Sequence, residues 1–444
     1  MKKVILICLI PFFFLSVCPN LVSAQEEYNL RNEIFYSIMV DRFNNGDPTN
    51  DINVNSSDPY AFHGGDFEGI TQRLDYIKDM GFTTILLSPI FKNEQAVVET
   101  EPFDYFQVED HFGTIEDFKQ LLSAAHEKEL KVFIEFAVDS TVEEEVLLEA
   151  GTMWANETNL DGYLLSGMDK HSTSFWENFH KEITTLNEQF IFLVDDDNDQ
   201  KGYSDIGYPF FVETQNEEIQ SFTEPNKTID LTISDMAAAQ SLDNRHTPRF
   251  TRYSLENNEH PVTRLKLALS YLYLTPAAPI VYYGTEIVQD GAEPPANSPL
   301  MNFRTDDELV KYMTKLSQIR KGVPSLTKGE TEIIHQTKDG MLVIKNSFEQ
   351  NIDLVVINNS TVTQKVTINA EDIVENKQLR GLLEDDVIVE LDGAYTIILD
   401  REKAEIYHVE DVKGINLSIV FAIILVPLLM LLFFYINKKK HKRT

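Results

Sequence analysis

Residues 69–90 read GITQRLDYIKDMGFTTILLSPI. Ile70, Leu74, Ile77 and Met80 recur at helical spacing, and Gly81 supplies the stop. The letters that follow, TTILLSPI, form an apolar, β-branched run ending at a proline, the pattern of a strand. A helix leading directly into such a strand is half of a parallel crossover unit.

The unit recurs along the chain. EIFYSIMV (33–40) and KVFIEFAV (131–138) read as strands. TIEDFKQLLSAAHEKEL (114–130) reads as a helix capped by Thr114, with acids in its first turn. GYLL, FIFLV, TIDLTI and PIVYYG are further strand candidates. Repeated about eight times, this alternation predicts a (β/α)8 TIM barrel over residues 32–328. Residues 330–408 have another texture: MLVIKNS, IDLVVINNS, QKVTINA and YTIILD separated by polar turns. They predict a small antiparallel β domain. The expected fold class is therefore α/β, a barrel followed by a β domain.

Both ends read as targeting segments. Residues 1–24 combine Lys2 and Lys3, an apolar run and small residues at Ser23 and Ala24, a secretory signal peptide. LSIVFAIILVPLLMLLFFYI (417–436) is long and apolar enough to span a bilayer as a C-terminal transmembrane helix. The basic tail 437–444 follows it and predicts a cytoplasmic end, leaving the body outside a cell membrane. Cys8 and Cys18 both fall in the leader, so disulfide, thiol and cysteine–metal chemistry are not expected of the body. The formal charge is -33, which argues against a nucleic-acid partner and is compatible with neutral ligands and cations.

Five stretches then occur in one order: YSIMVDRFNNGDPTND (36–51), FHGGDFEGITQRLDYIKDMGFTTILLSPIF (62–91), FDYFQVEDHFGTIEDFKQLLSAAHEKELKVFIEF (103–136), DNRHTPRF (243–250) and VYYGTEI (281–287). On these the chain resembles the α-amylase family, glycoside hydrolase family 13. The resemblance implies a retaining glycosidase site, with a nucleophilic and an acidic carboxyl group about 5–5.5 Å apart. The family's strand-four motif is Gly-Phe-Arg-Leu-Asp; here Gly162–Ser166 reads GYLLS, with Leu164 for the arginine and Ser166 for the nucleophile. The resemblance puts Val194 at the general-acid position of strand five. Strand seven's Asn-His-Asp becomes Asn244, Arg245 and His246. Strand three's Asn-His becomes Asp139 and Ser140, and the insertion after it is reduced to Val142–Thr158.

The expected site thus has no catalytic residue, with Arg245 and His246 as candidate ligand-binding groups. The resemblance also implies a Ca2+ site in the N-terminal loop, from Asn45, Asp47, Asn50, Asp51, the Gly64 carbonyl and Asp66. A polar turn held by its own hydrogen bonds is the plainer reading of the same letters. Three functions follow. The first is a membrane-tethered pseudoenzyme, an α-glucan- or maltooligosaccharide-binding scaffold. The second is an active glycosidase with shifted acids at Asp195–Asp197. The third is an ectodomain supporting a membrane-protein partner.

Overall fold

A computed structural model of the chain describes residues 28–93, 103–195, 203, 206–211, 221–229, 238–304, 306–412 and 417–441. The expected signal peptide, 1–24, lies outside the described residues, as do Asp196, Asp197 and most of TIDLTI.

Eight parallel strands close into a barrel in chain order: β1 (Phe35–Ile38), β2 (Thr84–Leu87), β3 (Lys131–Ala137), β4 (Gly162–Ser166), β5 (Ile191–Asp195), β6 (Tyr208–Phe211), β7 (Ala239–Ser241) and β8 (Ala278–Tyr282). β6 and β7 were not among the expected strands; both are short and lack a distinct β-branched run. Strand alternation sorts the side chains into two shells. Phe35, Leu86, Phe133, Leu164, Leu193 and Ile280 fill the barrel interior. Tyr36, Ile85, Ile134, Tyr163, Phe192 and Val194 pack outward against the helices. Trp154 and Trp176 belong to that outer shell, donating Nε1–H to the carbonyls of Tyr105 (2.7 Å) and Met168 (2.9 Å).

The segment Val142–Thr158 differs from its expectation. Most of it is the helix Glu144–Glu157, which forms the crossover between β3 and β4. It is the barrel's own helix rather than a remnant of an inserted cleft wall.

The second unit is antiparallel: β9 (Glu330–Gln336), β10 (Met341–Phe348), β11 (Asn351–Asn358), β12 (Gln364–Asn369), β13 (Lys377–Gly381), β14 (Val387–Val389), β15 (Ala394–Leu399) and β16 (Lys403–Asp411). Six strands form a sheet in the order β9-β10-β11-β16-β13-β14, and β12 pairs with β15. Its core is Met341, Val343, Leu354, Val356, Ile397 and neighbours. Buried polar links fasten it to the barrel. Arg264 Nη1 donates to Asn359 Oδ1 (2.9 Å), and Ser325 Oγ to Asp353 Oδ2 (2.6 Å).

The expected span at 417–436 is part of a 25-residue helix, Leu417–His441. Phe421 and the large apolar side chains described within 423–434 are exposed. Among the described residues, no helix is long and apolar enough to cross a membrane. The side chains of 417–420, 422 and 435–441 are outside that description.

Candidate active site

The site at the C-terminal ends of the strands is built around a residue that the motif comparison passed over. Glu135 lies on β3 between the outward-facing Ile134 and Phe136, on the inward face with Phe133. Its Oε2 accepts from Arg245 Nε at 2.8 Å. Its Oε1 accepts from Arg245 Nη2 at 2.6 Å and from Ser166 Oγ at 2.8 Å. The side chains of Glu135 and Arg245 are 7% and 14% exposed, so the pair is largely withdrawn from water. Arginine's planar fork suits this two-pronged grip. Burial alone would raise the Glu135 pKa; the Arg245 guanidinium outweighs it and holds the carboxyl well below the usual range. Glu135 is therefore ionised at neutral pH and carries no proton to give to a leaving group.

Ser166 is the last residue of β4. Its hydroxyl has an acceptor in Glu135, but so acidic a carboxylate is a poor base for activating it. Leu164, two residues earlier, joins the apolar interior beneath.

Strand five corrects the expected register. Val194 is fully buried in the outer shell, while Leu193 fills the interior. Val194 therefore does not stand at the barrel mouth. The next position two beyond Leu193 is Asp195, the final residue of β5, whose side chain lies outside the described residues.

The loop after β7 aims Arg245 at Glu135. Asn244 Oδ1 accepts the His246 N–H at 2.7 Å, tightening the turn. Asn297 Nδ2 donates to the carbonyls of Asn244, Arg245 and Thr247 at 3.2, 2.9 and 2.7 Å. His246 Nε2 lies 3.9 Å from Glu135 Oε1, within ion-pair range, and adds to the downward pull on that carboxyl. Asp243 is buried and accepts the Phe250 N–H at 2.8 Å; burial raises its pKa against the pull of Arg249. Asp139 caps the Thr141 N–H at 2.7 Å and Ser140 is exposed, so neither joins the pocket.

Between Glu135, Leu164, Arg245, His246 and Tyr282 a cavity of about 30 Å³ remains. A water needs roughly 10–15 Å³ on this measure, so the space among these residues holds water. The two candidate ligand-binding residues are thus brought together, with Arg245 turned inward onto Glu135. Sequence reasoning missed Glu135 and Asn297. A lone acid in the apolar strand KVFIEFAV was the available signal for the first; nothing local marked the second.

The six residues expected to hold Ca2+ share one loop region, where hydrogen bonds already engage several of their oxygens. Asp66 accepts N–H bonds from Gly46 (3.0 Å), Asp47 (2.8 Å) and Gly69 (2.6 Å), capping the helix Phe67–Thr71. Asp47 Oδ1 accepts from Thr49 N and Oγ1. Asn45 Nδ2 donates to both Asp51 oxygens at 2.9 Å. These two side chains close over Gly64, where an added Cβ would lie 2.6 Å from Asp51 Oδ1. Asn50 Oδ1 is buried without a hydrogen-bond partner. Among the described residues, no group of three His, Cys, Asp or Glu could hold a metal. The oxygens of Asn45, Asn50, Asp51 and Gly64 suit a hard cation in type, whereas Asp66 is already engaged by amides.

A family model described as alpha amylase, catalytic domain, matches residues 37–190, and one described as alpha-amylase C-terminal domain matches 329–407. The solved structure of an Anoxybacillus alpha-amylase superposes with a TM-score of 0.82 at 37% identity, covering 88% of this chain and 100% of that one. The alpha-amylase of Geobacillus thermoleovorans, complexed with acarbose, gives 0.79 at 33% identity, covering 87% and 100%. The beta/alpha-amylase of Paenibacillus polymyxa is 27% identical over 446 residues. That match covers 84% of this chain and 37% of the relative, so the chain spans just over a third of the relative's length.

Proposed function

The chain belongs to the α-amylase family, and we propose that it is a hydrolytically silent member acting as an α-glucan-binding scaffold at a cell surface. One observation carries the silence. Where the family's nucleophile is expected, the chain has Ser166, and the carboxylate that it contacts among the described residues, Glu135, is clamped by Arg245. The other carboxyl among the described residues lining the cavity, Asp243, is buried and held by the Phe250 N–H, so the described lining offers no free pair of carboxyls for the two roles. The glucan ligand follows from the family and from the acarbose held by the Geobacillus relative. A glucan would lie across the strand ends over Arg245 and His246. Calorimetry with maltooligosaccharides tests the binding: heat at millimolar ligand supports it, and none contradicts it.

Two features complete the reading. Asn45, Asn50, Asp51 and the Gly64 carbonyl would hold Ca2+, with Asp47 reached by turning from Thr49. Bound there, the ion would tie the loop to the barrel. The apolar run 417–436 would anchor the body, and its exposed side chains in the helix Leu417–His441 support that role. Membrane fractionation of the full chain and of a chain lacking 417–444 tests it; equal release of both into the soluble fraction contradicts it.

A second reading is favoured by the strand-five register. Asp195, rather than Val194, ends β5 in step with Leu193, so a shifted acid there is compatible with a residual glycosidase. Assays of Asp195→Asn on α-glucans separate the two readings.

A further inference from the structure

A second concavity lies away from the strand ends, in the seam between barrel and β domain, with a volume of about 440 Å³. Its barrel wall comes from the helices Pro261–Leu274 and Glu308–Gly322, and its other wall from Leu383, Glu384 and residues 401–404. Four cations line it: Lys266 and Lys315 from the barrel, Arg401 and Lys403 from the β domain. The chain has 71 acidic against 38 basic residues, so four cations around one pocket invert the prevailing sign.

The acids nearby do not cancel this charge. Lys266 pairs with Glu308 (2.6 Å) and sits 5.5 Å from the Tyr312 ring centre. Lys403 meets Glu384 at 3.4 Å and Asp400 at 3.9 Å. Glu402, which also lines the pocket, is turned to Arg264 Nη2 at 3.0 Å. Lys315 donates to the Leu383 carbonyl, a neutral partner. Arg401 lines the pocket, is exposed and has no ion pair among the described residues. Two cations, one from each unit, are thus uncompensated and face the same space.

We propose that this seam pocket binds a phosphate-bearing anion. Arginine and lysine together present the fork and point charges that phosphate oxygens accept from. A neutral glucan would gain little from displacing water around four cations. An anion here would touch both units and strengthen their docking. The phosphate could be carried by a small sugar phosphate or by a phosphodiester polymer.

The test uses the full chain in detergent. Thermal melts and calorimetry are run with inorganic phosphate, glucose 6-phosphate and poly(glycerol phosphate), with sodium chloride at matched ionic strength and maltose as controls. The expected result is stabilisation and binding by at least one phosphate probe, weakening as salt rises. Lys315→Gln with Arg401→Gln should lower that affinity at least tenfold. Arg401→Gln alone, at an exposed and unpaired position, keeps the test valid if the double variant folds poorly, with an expected loss of about threefold. Preference for glucose 6-phosphate assigns the small ligand, and preference for the polymer assigns the diester. Phosphate probes acting no better than chloride, or variants binding like the parent, overturn the proposal.

Discussion

Arg245 and Glu135 stand 110 residues apart in sequence, yet meet through two contacts of 2.8 and 2.6 Å across the barrel mouth. The pair joins β3 to the loop after β7.

Breaking that pair from one side should be expensive. Glu135→Gln keeps the shape but leaves the Arg245 cation buried without its anion, a change of about 3–5 kcal/mol in comparable pairs. Ser166→Ala removes one bond to a charged acceptor and should cost about 1.5–3 kcal/mol. Urea unfolding of both variants checks the order; equal stability of Glu135→Gln and the parent would contradict the pairing.

Acid should expose the same interaction. The folded Glu135 pKa is depressed, so its contribution is complete above the unfolded value, about 4.3, and is lost as pH falls toward the folded value. Denaturation midpoints taken from pH 7 down to pH 3 should fall less steeply for Glu135→Gln than for the parent. Parallel curves would count against an ionised Glu135.

The domain seam should respond in the opposite direction. His408 Nδ1 lies 2.7 Å from Asp353 Oδ1, and that hydrogen bond raises the His408 pKa. A raised folded value means the stabilisation is full below the unfolded value, about 6.5, and is lost as pH rises through the folded one. Melting temperature should drop between pH 6 and pH 8 in the parent and drop less in His408→Gln. An identical drop in both would place the cause elsewhere.

Calcium should separate two kinds of acid in the N-terminal loop. A ligand that binds only the folded chain adds about 2.7 kcal/mol at a hundredfold excess over its Kd. Chelation should lower the melting temperature of the parent and leave Asp51→Ala unmoved. Asp66→Asn should melt lower with or without calcium, because its carboxylate serves the N–H groups of Gly46, Asp47 and Gly69. No shift on chelation of the parent would remove the ion from the account.

Much of this was legible in the letters. The alternation from GITQRLDYIKDMG into TTILLSPI repeats along the chain and leads to a closed parallel barrel, and the β-branched runs after residue 330 lead to an antiparallel domain. Registers were harder. FIFLV is apolar at every position, so a shift of one residue leaves its pattern unchanged, and only the packing shows Val194 turned outward. The role of Glu135 depended on Arg245, whose position is set by Asn297 through three carbonyls, and no local pattern encodes a contact of that range. In the loop at 45–66 the oxygen-rich spacing was visible, but not the amides that had already taken up Asp66.

The most direct measurement is α-glucan hydrolysis by the purified full chain in detergent, followed as reducing ends released from starch and maltooligosaccharides. No release above a boiled control is expected, and none after Ser166→Asp alone. The new carboxylate would lack a general acid and, on the family's motif, the arginine expected at the position of Leu164, and these groups act as a unit. Release that tracks the protein through two chromatographic steps and disappears in Asp195→Asn would contradict the account.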